Sequence, residues 1–320
     1  MISRVAEHCF WFGRYLERAE STARVLGVTS HLATDAGLTP GQTWHPVVIV
    51  SGEEEPFTAR FGPEALADGE AVQRYLTWDG ESPVSIRCTV GAARLNARSI
   101  REVVSLEAWE TVNELHLWVD GPRSREAFEQ DRYGFYRQVR NLAQLCLGHL
   151  RSTMLHDEPL EFMRLGVNLE RGGQTARILD VHHHLFTALE QRHDVVETAL
   201  WLGLLRACSG YEPFMKRHHG LVNGEAVAAF LMLEPRFPRS VRYAVHNARE
   251  RLEAIRPPED AGLPGQDSVA RLGTLDGWLG VLPREPFETR LLHERLTHVV
   301  DEAARVGSDI AREFFGQGPV

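Results

Sequence analysis

Glu17, Arg24 and His31 are spaced by seven residues, and so are Glu170, Arg177 and His184. On a helix that turns about 100° per residue, each set shares one lane along one side. A carboxylate, a guanidinium and an imidazole in line suit two kinds of chemistry. Arg forks hold carboxylates or phosphates bidentately, and Glu or His moves protons when its pKa is tuned. Glu17 and Glu170 are therefore the candidate catalytic groups. Arg18, Arg24, His31, Arg171, Arg177 and His184 are the candidate ligand-binding groups, with Arg18 and Arg171 on the opposite flank of an apolar stripe. The same pattern also reads as Glu–Arg pairs that stitch helices together, which are costly to break singly.

The elements that carry these lanes occur twice. YLERAESTARVL at 15–26 and NLERGGQTARIL at 168–179 share L-E-R-x-x-x-T-A-R-x-L. A shift of 153 residues superposes Gly13 on Gly166, Glu17 on Glu170, Arg18 on Arg171 and His31 on His184. A shift of 157 puts Trp44 on Trp201, and one of 155 puts Gly69 on Gly224, Pro83 on Pro238 and Ser85 on Ser240. The ordered matches define internal repeats of about 9–98 and 162–249. Two copies are too few for a solenoid. The expected fold is all-α, a single domain over 1–320 forming a helical bundle of two pseudo-symmetric, internally duplicated halves packed together.

Helical periodicity covers 3–33, 125–156, 159–187 and 285–315, with shorter segments between. VVIV at 47–50 favours a strand by propensity. Its counterpart LLRA lies in a helical pattern, so both are expected to be helical. Pro83, Pro159, Pro238 and Pro286 are expected in first helical turns.

The rest of the chain narrows the chemistry. With 44 acidic and 35 basic residues the formal net charge is −9, so the basic footprint of broad nucleic-acid binding is missing. Only Lys216 among the basic residues is lysine. Cys9, Cys88, Cys146 and Cys208 form no C-x-x-C pair and read as buried apolar residues of a reducing compartment. The charged N-terminus lacks a secretory core, and no 18-residue apolar run marks a membrane span, so the cytoplasm is expected. His182-His183-His184 point in three directions on a helix, and Glu190-x-x-His193 is a lone motif where a di-metal bundle needs two. No metal is expected. No P-loop, dinucleotide fingerprint or nucleophile elbow is present, and no cofactor is expected.

Two blocks carry a family resemblance. ISRVAEHCFWFGRYLERAESTARVL at the start, and LNARSIREVVSLEAWETVNEL at 95–115, resemble the signature blocks of the bacterial alpha-E domain family. In the second block the matching residues are Asn96, Arg98, Arg101, Glu102, Trp109, Glu110 and Asn113. The resemblance implies an all-helical domain with a Glu-Arg motif. It also implies a setting beside ATP-grasp amide-ligase-like proteins and transglutaminase-like proteins, as partners or fusions. One departure stands out: Gly172-Gly173 replaces Ala19-Glu20, so any role of Glu20 belongs to one half. Three functions follow as expectations. The first is an accessory or substrate-binding partner of an ATP-grasp-type amide or peptide ligase. The second is a stand-alone enzyme on a peptide or amide using Glu17 and Glu170, and the third is a structural helical scaffold.

Overall fold

The computed structural model describes residues 3–35, 38–188, 194–218, 222–257, 262–284, 287 and 289–316. Among them are fifteen α-helices and no strand. In chain order they are α1 (Ser3–Asp35), α2 (Pro40–Ser51), α3 (Glu54–Phe61), α4 (Gly69–Trp78), α5 (Ile86–Ser99), α6 (Leu106–Asp120), α7 (Pro122–Gln130) and α8 (Arg132–Thr153). The second run is α9 (Glu158–Ala188), α10 (Asp194–Ala207), α11 (Tyr211–His218), α12 (Gly224–Leu233), α13 (Val241–Ile255), α14 (Gln266–Val281) and α15 (Leu292–Phe315). Two 3-10 turns, Pro63–Ala67 and Thr289–Leu291, complete the set.

The centre is the pair α1 and α9. On α1, Phe12, Leu16, Ala19, Ala23 and Leu26 form one fully buried stripe. On α9, Leu165, Leu169, Ala176 and Leu179 are buried at the matching spacing. The helices run parallel, because residues 10–18 of α1 meet 163–171 of α9 in ascending order. Their closest approach falls at two glycines. A Cβ added to Gly13 would lie 2.1 Å from the Met163 carbonyl oxygen, and one added to Gly166 would lie 2.2 Å from that of Phe10. No side chain fits there, and the missing Cβ lets the two backbones touch.

Helices α5 and α8 pack on α1, and α6 closes over both. Helices α13 and α15 pack on α9, with α14 against both. Local signals set the boundaries. Ser85 and Ser240 each cap a helix by accepting from the backbone N–H three residues on, Cys88 at 3.2 Å and Tyr243 at 3.1 Å. Each also donates its hydroxyl to a carbonyl six residues back, Asp79 at 2.7 Å and Glu234 at 2.5 Å.

Three expectations need correction. The 125–156 segment is two helices, α7 and α8, broken at Asp131 (φ −148°, ψ 83°), whose carboxylate accepts from the Gly134 N–H and starts α8 afresh. The last helix begins at Leu292, later than 285. Pro83 and Pro238 precede the caps Ser85 and Ser240 and so sit in the turns ahead of their helices. Pro159 does occupy a first turn, that of α9, whereas Pro286 lies outside the described residues. VVIV at 47–50 is helical, within α2. Among the described residues no helix is long and apolar enough to cross a membrane.

Candidate functional site

The Glu-Arg dipeptide of each central helix binds its opposite number across the α1–α9 contact. Arg18 donates from Nε and Nη2 to the Glu170 carboxylate at 2.6 and 2.9 Å. Arg171 donates from Nε and Nη2 to Glu17 at 2.9 and 2.7 Å. Both are fork-to-fork pairs, the strong geometry for these groups. Arg14 adds a bond to Glu170 at 2.9 Å and Gln174 another at 3.2 Å. Arg239, just ahead of α13, adds a bond to Glu17 at 2.9 Å.

These carboxylates are buried, Glu17 at 0% and Glu170 at 3% exposure. Burial alone would raise both carboxyls. For Glu17 the charges of Arg171 and Arg239 outweigh it and hold the group below the ordinary range. For Glu170 the charges of Arg14 and Arg18 do the same, well below that range. Neither carboxyl therefore carries a proton to donate near neutral pH, and neither is a free base, since arginines occupy its oxygens. The forks of Arg18 and Arg171 are in turn committed to Glu170 and Glu17.

One helical turn further along α1 the balance of charge changes. Glu20, fully buried, accepts from Arg239 at 2.8 Å, from Gln144 at 2.9 Å and from Arg24. Arg24 is 3% exposed and also donates to the Ser209 hydroxyl, but its Nε has no acceptor. Its guanidinium is pushed down to about 8 by burial and by repulsion from Arg239 and Arg140. Its ion-pair partner Glu20 is shared with Arg239, so one carboxylate serves two guanidiniums there.

Arg24 forms the floor of a cavity of about 700 Å³ between α1, α8 and α10. Val28, His31 and Leu32 line it from α1, Tyr133 and Arg140 from α8, and Leu202 and Arg206 from α10. Ser209, Tyr211 and the exposed Glu212 complete the wall and rim. Arg140 makes no hydrogen bond or ion pair with any described residue, and its Nε is buried without an acceptor. Ser209 has φ 53°, the one positive value on a non-glycine among the described residues. His31 stacks edge-on to Tyr133 at 4.8 Å.

Of the residues singled out by spacing, Arg24 and His31 thus meet in one cavity. Arg177 lines a different one, of about 320 Å³, with Arg14, Glu170 and Gln174. Arg18 and Arg177 also border a small space of about 110 Å³ beside α2. The side chain of His184 lies outside the described residues, as do Glu190 and His193. Nδ1 of His182 donates to the Ile178 carbonyl at 2.8 Å. Among the described residues no cluster of three or more His, Cys, Asp or Glu is placed to hold a metal ion. Arg14, Arg140, Ser209 and Arg239 escaped the sequence pattern. Arg239 had a signal: it faces Val84 under the repeat shift, just as Glu20 faces Gly173, and the two departures are one ion pair.

An all-helical domain whose two central helices are locked by reciprocal Glu-Arg pairs is the class that this geometry defines. The chain belongs to the Alpha-E family, described as a predicted alpha-helical domain with a conserved ER motif, whose model matches residues 1–315. Similar curated proteins include an uncharacterised protein of Mycobacterium bovis and two of Mycobacterium tuberculosis. Each is 27% identical over 285 residues, covering 84% of this chain. The chain spans 30% of the length of these relatives. No solved structure matches.

Proposed function

We propose that the chain is a ligand-binding accessory unit of an ATP-grasp-type amide or peptide ligase system, working in the cytoplasm beside a transglutaminase-like protein. The ligase setting rests on the family resemblance. The ligand-binding half rests on one observation: a cavity of about 700 Å³ floored by a buried Arg24 whose Nε has no acceptor. Glu20 and Ser209 take up the outer nitrogens of Arg24, and the buried Nε donors of Arg24 and Arg140 remain without an acceptor among the described residues, which suits an anionic substrate.

The architecture belongs to the same proposal. We read the chain as two copies of one helical unit about an approximate two-fold axis along α1 and α9. In support, Gly13 meets Met163 and Gly166 meets Phe10, and both contacts span the repeat shift. The left-handed residues Gly52 and Ser209 are 157 apart, like Trp44 and Trp201. On this reading the reciprocal Glu-Arg pairs are the clamp, and the cavity beyond them is the site. The scaffold function is thereby favoured for Glu17 and Glu170 themselves, both buried and saturated. Their use as acid and base in a stand-alone enzyme finds no support in this geometry.

Co-purification tests the proposal. A tagged chain is expected to retain the neighbouring ATP-grasp protein and to change its ATP turnover. If it neither binds that protein nor alters turnover, the accessory reading fails.

A further inference from the structure

We infer, building on the reading of the Arg24 cavity as the ligand site, that it takes an organic oxyanion, a carboxylate or phosphate ester with a charged head on an apolar body. The head sits between Arg24, Arg140 and Ser209, and the body lies along Val28, Leu32 and Leu202.

Four observations converge on that chemistry. Two guanidiniums face one space, and the buried Nε of each lacks an acceptor. Arginine carries only donors, so nothing but an acceptor completes it. Second, the Ser209 oxygen already accepts from Arg24, which leaves its own proton to donate inward. Third, Ser209 holds a left-handed backbone that disfavours any side chain. Gly52 stands at the position 157 residues earlier with φ 77°, where no Cβ strain arises. A hydroxyl kept at such a point, aimed at an incompletely satisfied cation, fits a binding role. Fourth, about 700 Å³ is room for a small organic molecule rather than a bare ion. The exposed Arg206 and Glu212 also line the space, one charge of each sign, so the positive charge that faces the ligand's head is that of Arg24 and Arg140.

The test is calorimetric titration of the purified full chain with four probes: N-acetylphenylalanine, its neutral amide, phenyl phosphate and inorganic phosphate. At least one of the two organic anions is expected to bind ten-fold or more tighter than both the amide and inorganic phosphate. Whichever of the two is tighter identifies carboxylate or phosphate ester as the natural head. Arg140→Gln is expected to cut that affinity at least ten-fold with an unchanged melting temperature, because Arg140 makes no hydrogen bond or ion pair with any described residue. Ser209→Gly is expected to weaken binding several-fold while the melting temperature holds or rises, a combination that a purely structural serine does not produce. The inference is overturned if neither organic anion binds, if the amide or inorganic phosphate binds as tightly, or if Arg140→Gln leaves affinity intact. A chain that still retains the ATP-grasp protein while binding neither anion removes this inference and leaves the accessory reading standing. A chain that binds the anions but not the ligase does the reverse.

Discussion

Arg18 grips Glu170 through two nitrogens, at 2.6 and 2.9 Å, and Arg171 grips Glu17 by the same two nitrogens. Adjacent residues on one helix thus carry opposite halves of two ion pairs. A Glu-Arg dipeptide on each of two parallel helices pairs across the contact, and Arg239 from ahead of α13 adds a further bond to Glu17.

Breaking one of these forks leaves a buried carboxylate short of a partner. Arg18→Met is expected to destabilise by about 3 kcal/mol, the low end for a broken buried pair because Arg14 stays on Glu170. Arg18→Met with Glu170→Leu removes both charges, and its urea midpoint at pH 7 is expected to lie closer to wild type than that of Arg18→Met. A double variant less stable than wild type by the full sum of the losses of Arg18→Met and Glu170→Leu would mean that the two residues do not interact.

The glycine contact reverses the usual helix rule. Ala for Gly in a helix interior normally gains roughly 0.5–1 kcal/mol. Gly13→Ala and Gly166→Ala each drive a methyl into a backbone carbonyl of the other helix. Each is expected to lose about 1–3 kcal/mol or more. Gly173→Ala, on the same helix with nothing within 4 Å of its added Cβ, is the control and is expected to gain. Denaturant midpoints of the three variants decide the matter.

Acid stability follows from Glu170. Burial would raise its carboxyl, but Arg14 and Arg18 hold it well below the ordinary range. A group depressed in the folded state contributes fully above its unfolded value, about 4.3, and that contribution fades as pH falls toward the folded one. The deficit of Glu170→Gln relative to wild type is therefore expected to stay constant from about pH 8 to 5 and to shrink below about pH 4. A deficit already gone near pH 6 would contradict the assignment.

Thiol reactivity should split the four cysteines. Cys9, Cys146 and Cys208 are buried, and burial pushes each thiol up to about 12. Cys88, expected to be buried like the others, is instead partly exposed near the start of α5. A disulfide reagent at pH 8 is expected to modify Cys88 rapidly in the native protein and the other three only after unfolding, as read by mass spectrometry.

The helical fold was legible because its stripes are regular. Phe12, Leu16, Ala19, Ala23 and Leu26 follow the helical period, and all are buried. The strand propensity of Val47–Val50 yielded to the demand that matched segments fold alike. The break at Asp131 was not legible, since Phe128 on one side and Phe135 and Tyr136 on the other continue an aromatic pattern across it. At the candidate site, spacing marked Arg24 and His31, which share a cavity. It also marked Arg18 and Arg171, whose donors are spent on carboxylates 152 and 154 residues away. Spacing reports which residues share a face; it says nothing of which acceptors lie opposite. Arg140 and Ser209 come from α8 and the end of α10, far away in sequence, and only the packing of those helices on α1 brings them to Arg24.

The touching backbones at Gly13 and Gly166 set where α1 and α9 come closest, and the rest of α1 extends from that point. His31 stands eighteen residues beyond Gly13, a lever of about 27 Å at ~1.5 Å per residue. A difference of roughly 5° in the crossing angle would displace that end by about 2 Å for a helix of this rise. The angle fixed where the rods touch therefore sets the width of the mouth of the Arg24 chamber, so a side chain added at either glycine would be felt there as well as at the crossing.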